Sequence, residues 1–147
     1  EYVVFTDGDL QFDVAEVTRF IEKMDNVDLV IGYRQRRQDT VMRHILMVLH
    51  RIWVFIFFGL YVKDIDCGFK LFRKSALDSI MPLRSEGAMI TTEILAKARA
   101  KKLRIAQVPI THFPRKFGTP SGANLSVVVR AMLETFILSW DIRNRRF

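Results

Sequence analysis

Along this chain the apolar positions switch repeatedly between short continuous runs and a helical repeat. Tyr2–Phe5 is an uninterrupted apolar run, the pattern of a strand covered on both faces. Asp13, with Glu16 three residues on, predicts a capping box that opens a helix through about Met24. Val27–Gly32 (VDLVIG) predicts a second strand. A helix follows from about Thr40 toward Gly59, a residue suited to a helix C-terminus. GFKLF, Gly68–Phe72, reads as a strand, and Ser75 with Asp78 suggests another capping box over a short helix that Pro82 closes. Thr91–Lys102 presents a helical face of Ile94, Leu95 and Ala98. Arg104–Ile110 is a strand in which Pro109 belongs at an edge or an end. Leu125–Trp140 is a last amphipathic helix. Strands alternating with helices favour an α/β sandwich, with Trp140 and the Phe-rich runs assigned to its core.

Composition narrows the picture. The 147 residues suffice for one domain with a sizeable core, and half of them are hydrophobic, which argues against disorder. The single cysteine, Cys67, excludes a disulfide framework and a cysteine-rich metal site, and it fits a reducing compartment. A net charge of +7 points to anionic partners: phosphates, an acidic membrane surface or nucleic acid. No signal-peptide pattern is present, and the apolar run at the very first residues suggests a piece of something longer.

The densest chemistry lies in TDGDLQFD, where Asp7, Asp9 and the amide of Gln11 follow the first strand. In an open α/β sheet, ligands gather at the carboxyl ends of strands. Two acids spaced Asp-x-Asp repel each other unless a cation lies between them or hydrogen bonds absorb the charge. Mg²⁺ keeps several waters and commonly takes one or two carboxylates plus substrate phosphates. Asp7 and Asp9 therefore form half a coordination shell, with Gln11 as a third protein ligand and a diphosphate to complete it. The plain alternative is that Asp-Gly is an ordinary turn pair. Phosphatases of the haloacid dehalogenase type also place Asp-x-Asp after a strand, but they carry Thr or Val two places after the second acid, where this chain has Gln11.

TDGDLQFD resembles the acidic motif of glycosyltransferase family 2, the inverting GT-A enzymes, and especially their dolichyl-phosphate mannose synthase-like, polyprenyl-phosphate branch. Four more stretches fall in that family's order. DLVIGYR (28–34) resembles its strand ending in Gly-x-Arg, and VKDIDCGFKLFRKSAL (62–77) its Asp followed by a Gly-Phe-Arg-Leu run. EGAMITTEILAKA (86–98) resembles the acceptor-side helix with its glutamate. VPITHFPRKFGTPSG (108–122) resembles the Val-Pro-Ile strand followed by Arg-x-x-Gly. Lys70 stands where arginine is usual, Cys67 replaces a common serine, and Thr119-Pro120 interrupts the usual Gly-x-Ser spacing. The resemblance implies an α/β, partial GT-A fold, a mixed sheet flanked by helices. Residues 1–147 would form a single partial domain from the Asp-x-Asp strand onward, without the strand and helix that grip the nucleotide.

The resemblance also implies the chemistry. Transfer of a sugar from a nucleotide-sugar needs the leaving diphosphate's growing charge neutralised, and Mg²⁺ or Mn²⁺ on Asp7, Asp9 and Gln11 would do so as a Lewis acid. Asp9 thereby takes a catalytic role. A glycan hydroxyl acceptor needs a base, for which Asp66 and Glu93 are the candidates. A polyprenyl-phosphate acceptor is already anionic and needs cations: Arg34, Arg43 and Arg115, with Asp64 either near the acceptor or paired with a basic residue to fix its loop. Each has a plainer reading. Arg34, Arg36 and Arg37 can form a solvated basic loop, Asp64 and Asp66 can be turn residues, Glu93 can simply suit a helix start, and His112 can be packed.

Ile45–Val62 is apolar over 18 residues but divided by His50 and Arg51, whereas a spanning helix wants about 20 apolar residues. It reads as a buried helix, or as an interfacial one flanked by Arg36, Arg37, Arg43 and Lys63 to meet anionic head groups. The expected partners are a nucleotide-sugar donor, a polyprenyl-phosphate or glycan acceptor and the cytoplasmic face of a membrane, without nucleic acid. A basic nucleic-acid-binding module is the competing class. It accounts for the +7 but leaves Asp-x-Asp-Leu-Gln without a purpose and lacks interleaved aromatics. Without the nucleotide-gripping strands, Tyr2–Phe5 should lose part of its pairing and cover. The chain alone is then expected to be weakly stable, aggregation-prone and inactive.

Overall fold

The computed structural model describes residues 1–35, 41–87, 89–114 and 125–144, without the side chains of 41–44 and 125–129. In chain order the elements are β1 (Tyr2–Phe5), a 3₁₀ turn (Val14–Glu16), α1 (Val17–Ile21), β2 (Leu29–Arg34), α2 (Val41–Phe58), β3 (Lys70–Arg73), α3 (Lys74–Ile80), α4 (Met89–Ala100), β4 (Ile105–Ile110) and α5 (Leu125–Arg143). The strands make one mixed sheet in the order β1-β3-β2-β4. β3 runs antiparallel to both neighbours, placing Lys70 opposite Phe5 on one side and Ile31 on the other. β2 and β4 are parallel. β1, β2 and β4 therefore point the same way, and their carboxyl ends share one sheet edge with the start of β3.

Strand alternation supplies a core on each face. Leu29, Ile31 and Phe72 face a helical layer that contributes Val54, Ile80, Ile94, Leu95, Ala98 and Leu138. Val30, Phe69, Leu71, Val108 and Ile110 face Phe20 and Met24 of the α1 side, with Phe12 beside them. This is the α/β sandwich with a mixed sheet that the sequence predicts. As an edge strand, β1 leaves Tyr2 and Val4 exposed, in keeping with its expected partial cover.

Local chemistry moves several boundaries. Neither capping box closes. Asp13 caps by accepting the Ala15 N–H, while Glu16 turns to the Arg19 guanidinium at 2.9 Å and the Thr111 N–H at 3.1 Å. The helix it opens ends at Ile21, short of Met24. At α3, Asp78 pairs with Lys74 one turn earlier, and the N-cap is Arg73 without a side-chain bond. β2 begins at Leu29, not Val27. The carbonyls of Val27 and Met24 accept the Arg73 guanidinium at 2.8 and 2.6 Å, and Asp28 accepts the Arg104 N–H. α4 spans Met89–Ala100, not Thr91–Lys102, and α5 reaches Arg143, three residues beyond the expected Trp140.

The buried-helix reading of Ile45–Val62 fails. Among the described side chains of α2 only Val54 is buried, and Ile45, Leu49, Ile52 and Ile56 form an exposed stripe at helical spacing. α5 carries a matching stripe in Leu133, Phe136, Ile137 and Trp140. Trp140, expected in the core, is 60% exposed. The two helices meet through the Phe57 and Phe136 rings, 5.6 Å apart. Each helix is apolar on more than one side, and the sheet can cover only one. Among the described residues, no helix is long and apolar enough to cross a membrane.

Gly32 lies where β2 passes under the 64–68 loop. A Cβ there would fall 2.9 Å from Cys67 Sγ, 3.1 Å from the Phe69 carbonyl oxygen and 3.2 Å from Ile110 Cγ2. Gly32→Ala is expected to destabilise the fold by about 1–3 kcal/mol through overpacking, read as a lowered midpoint in denaturant unfolding. An unchanged midpoint would show that the loop yields freely.

Candidate active site at the carboxyl edge of the sheet

Beyond β1, the chain turns over the sheet edge through Asp7 and Asp9. The Asp7 carboxylate sits directly against Gly68. A Cβ at position 68 would fall 2.0 Å from Asp7 Oδ2 and 2.2 Å from its Cγ, so a larger residue there would push the carboxylate out of this seat. β3 begins at Lys70, opposite the last residue of β1, and not at Gly68 as expected. Asp9 Oδ1 accepts the Gln11 N–H at 3.2 Å across Leu10, which is held at φ +59°. A left-handed conformation costs a residue with a Cβ on the order of 1 kcal/mol, which the turn must offset.

The acid turn is clipped to the end of β4. Gln11 Nε2 donates to the Phe113 carbonyl at 3.1 Å, and the Phe113 N–H donates to the Gln11 carbonyl at 2.9 Å. His112 bridges Phe12, with its ring 5.5 Å from the Phe12 ring, which is the packed role of the plainer reading. Arg115 lies outside the described residues, as does the side chain of Arg43.

At the end of β2, Arg34 does not stand free for a phosphate. Its Nε and Nη2 donate to the two oxygens of Asp64 at 2.7 and 2.9 Å, and its backbone N–H also reaches Asp64 Oδ2 at 3.3 Å. Both side chains are buried. Burial would lower the Arg34 pKa, but the bonds to Asp64 and its charge outweigh this and raise it. Arg34, expected to bind the acceptor, instead forms a two-bonded pair with Asp64 that fixes the 64–68 loop on β2, which is the other fate expected of Asp64. Asp66 lies beside that pair and acts on Arg34 through its charge. Its side chain is 40% exposed, with Oδ1 3.8 Å from His50 Nδ1 of α2. The edge thus gathers Asp7, Asp9, Gln11, Asp64 and Asp66 beside Arg34.

This arrangement has relatives. No family model matches the chain. It is 30% identical over 131 residues to dolichyl-phosphate β-glucosyltransferase of Saccharomyces cerevisiae, a match covering 76% of this chain and 39% of that protein. It is 28% identical over 119 residues to an undecaprenyl-phosphate 4-deoxy-4-formamido-L-arabinose transferase of Klebsiella pneumoniae, covering 80% and 35%. It is 30% identical over 125 residues to glycosyltransferase AglJ of Haloferax volcanii, covering 80% and 40%. The chain is similar to glycosyltransferases. Among solved structures, M. tuberculosis glucosyl-3-phosphoglycerate synthase matches with a TM-score of 0.59 at 19% identity, over 96% of this chain and 49% of that one, a likeness of fold. The chain spans 35–40% of the length of these three curated relatives.

The glutamate of the family's acceptor-side helix is not an available base here. Glu93 lies in the second turn of α4, not at a helix start, and is 1% exposed. Its carboxylate accepts the N–H groups of Arg84 and Ser85 at 2.6–3.0 Å and pairs with Lys97 Nζ at 2.7 Å. Lys97 in turn donates to the Pro82 carbonyl at 2.5 Å. Burial works to raise the Glu93 pKa, but the Lys97 bond and the backbone donors outweigh it and hold it below the usual carboxylate value. Glu93 anchors the 82–85 segment to α4. The glutamate was legible in the family's motif, but its burial was not.

Sequence reasoning singled out Lys70 only as a departure from the family's arginine. In the structure it is the buried cation behind the acidic edge, 1% exposed, with its ammonium donating to the Cys67 carbonyl. A lone lysine inside the apolar run GFKLF is the signal that marks it. Cys67 is buried too, and desolvation pushes its thiol up to about 11, which leaves it unreactive at neutral pH.

Because the folded pKa of Glu93 is depressed, its contribution to stability is present above the ordinary carboxylate value, about 4.3. It is lost as pH falls through the lower folded value. Glu93→Gln is expected to cost about 3–5 kcal/mol at neutral pH by stranding Lys97 and to flatten the acid limb of the stability profile. Glu93→Leu with Lys97→Met should recover most of the loss. A Glu93→Gln protein of unchanged stability and at least hundredfold lower turnover would restore the general-base role.

Proposed function

We propose that the whole protein transfers a sugar from a nucleotide-sugar to a polyprenyl phosphate at a membrane surface, with inversion and in a metal-dependent manner. The observation that carries this reading is the Asp7 carboxylate seated on Gly68 beside Asp9, at the strand edge where such sheets place ligands. The yeast and Klebsiella relatives, a dolichyl-phosphate β-glucosyltransferase and an undecaprenyl-phosphate 4-deoxy-4-formamido-L-arabinose transferase, support the lipid-phosphate acceptor.

The donor set suits Mg²⁺ or Mn²⁺. Asp7 and Asp9 offer hard oxygens, and among the described residues no group of three or more His, Cys, Asp or Glu converges on a metal position. A cation held by so few protein ligands draws the rest of its shell from phosphate and water, and when bound it would neutralise the leaving diphosphate as a Lewis acid. The protein's own part is positional. Gly68 fixes Asp7, the Asp9–Gln11 turn is clipped to Phe113, and the Arg34–Asp64 pair holds the loop between them.

A phosphate acceptor needs no base, and its oxygen would approach the anomeric carbon from the face opposite the diphosphate. For a glycan hydroxyl, Asp66 is the candidate base that remains, being partly exposed where Glu93 is sealed. The exposed stripes of α2 and α5, with Arg51 and Lys63 also exposed, support apposition to an anionic lipid surface.

In the full-length enzyme, Asp9→Asn is expected to reduce Mn²⁺-dependent transfer to polyprenyl phosphate about a hundredfold or more with the fold intact. Asp7→Asn should be severe and Gln11→Ala milder. Near-normal turnover in Asp9→Asn would remove the metal reading, and efficient transfer to free sugar hydroxyls without polyprenyl phosphate would remove the acceptor.

A further inference from the structure

We propose that Lys70 is the resident counter-ion of the acidic edge, a positioning residue that holds the 64–68 loop and Asp7 in place before metal or donor arrives. The inference rests on the reading of Asp7 as a ligand of the metal–diphosphate site.

Register brings the lysine there. Lys70 opposes Phe5, two residues before Asp7, and its Nζ stands 5.7 Å from the centre of the Phe5 ring. The ammonium donates to the Cys67 carbonyl, which ties down the residue immediately before Gly68, and Gly68 is the seat of the Asp7 carboxylate. One side chain thus holds the loop that holds the acid. Desolvation dominates at this buried ammonium, and the charges of Asp64, Asp66 and Asp7 work against it.

Burying an ammonium costs several kcal/mol unless nearby charge compensates it. A methionine would fill the same space without that cost, so the charge itself is what the site requires. Three carboxylates near one sheet edge repel one another, and Arg34 is already engaged by Asp64. Lys70 supplies the balancing positive charge from below, leaving the outer side of Asp7 exposed.

The test uses the full-length enzyme, thermal unfolding with and without Mn²⁺, and electron paramagnetic resonance of free Mn²⁺. Lys70→Met is expected to lower the metal-free Tm, to show a larger Mn²⁺-induced rise than wild type, and to bind Mn²⁺ on the order of tenfold tighter, since one nearby positive charge is gone. Turnover should fall even as the metal binds more tightly. Adding Asp7→Asn should restore much of the lost metal-free Tm, a coupling that a double-mutant cycle isolates. Lys70→Arg should keep the wild-type Mn²⁺ response.

Additive effects of Lys70→Met and Asp7→Asn, with an unchanged Mn²⁺ response, would overturn the inference and leave Lys70 as packing. Should Lys70→Met fail to fold, recovery of folding in the double variant supports the inference, and failure of both overturns it. Wild-type Mn²⁺ affinity in Asp9→Asn would sink the metal reading separately, because the Lys70–Asp7 coupling is measured without metal.

Discussion

Like charge crowded at one sheet edge is the constraint on which the rest of this structure depends. Asp7, Asp64 and Asp66 arrive from two separate loops, and the fold answers with two buried cations of different kinds. Arg34 meets Asp64 with a planar fork and two hydrogen bonds, which fixes geometry. Lys70 touches a carbonyl and balances the acids as a point charge. With Arg34 and Asp64 satisfied by each other, Asp7 is the exposed carboxylate of the edge, and Asp9 and Asp66 are half-buried beside it.

The sheet makes that crowding possible. Because β3 enters antiparallel between β1 and β2, the loop preceding it reaches the same edge as the carboxyl ends of the parallel strands. Two glycines then permit close approach, Gly32 beneath Cys67 and Gly68 beneath Asp7. Cys67, packed between these contacts with its thiol pushed up to about 11, acts as a small apolar filler, which is how a cysteine can stand where relatives of this family commonly carry serine.

On the helical side, the same economy of charge appears as a buried Glu93–Lys97 pair whose remaining hydrogen-bonding capacity is met by the backbone of residues 82–85. A pair so enclosed fixes a conformation but adds little net stability. The outer stripes of α2 and α5 are the opposite case, apolar side chains left in contact with solvent. Exposed apolar area on this scale marks a surface that meets something else.

By itself, the sequence determined the alternation of strands and helices, the Asp-x-Asp at the end of the first strand and the order of motifs that carries the likeness to glycosyltransferases. These are local properties, carried by hydrophobic period, turn residues and short-range spacing. It also flagged both possible fates of Asp64, a role toward the acceptor or a pairing with a basic residue. Only the tertiary structure could choose, because Arg34 and Asp64 are thirty residues apart and meet through strand pairing. The first capping box was lost in the same way, because the Thr111 N–H, ninety-five residues on, takes Glu16, and no local pattern records how far apart in sequence two contacting residues will be. Lys74 and Lys97 reach Asp78 and Glu93 from within one helical turn, so there the burial and the choice of partner, not the distance, were decided by the tertiary structure. The role of Lys70 belongs to the same class: the lysine is visible in GFKLF, but the acids that give its charge a purpose gather around it only when β3 is inserted between β1 and β2.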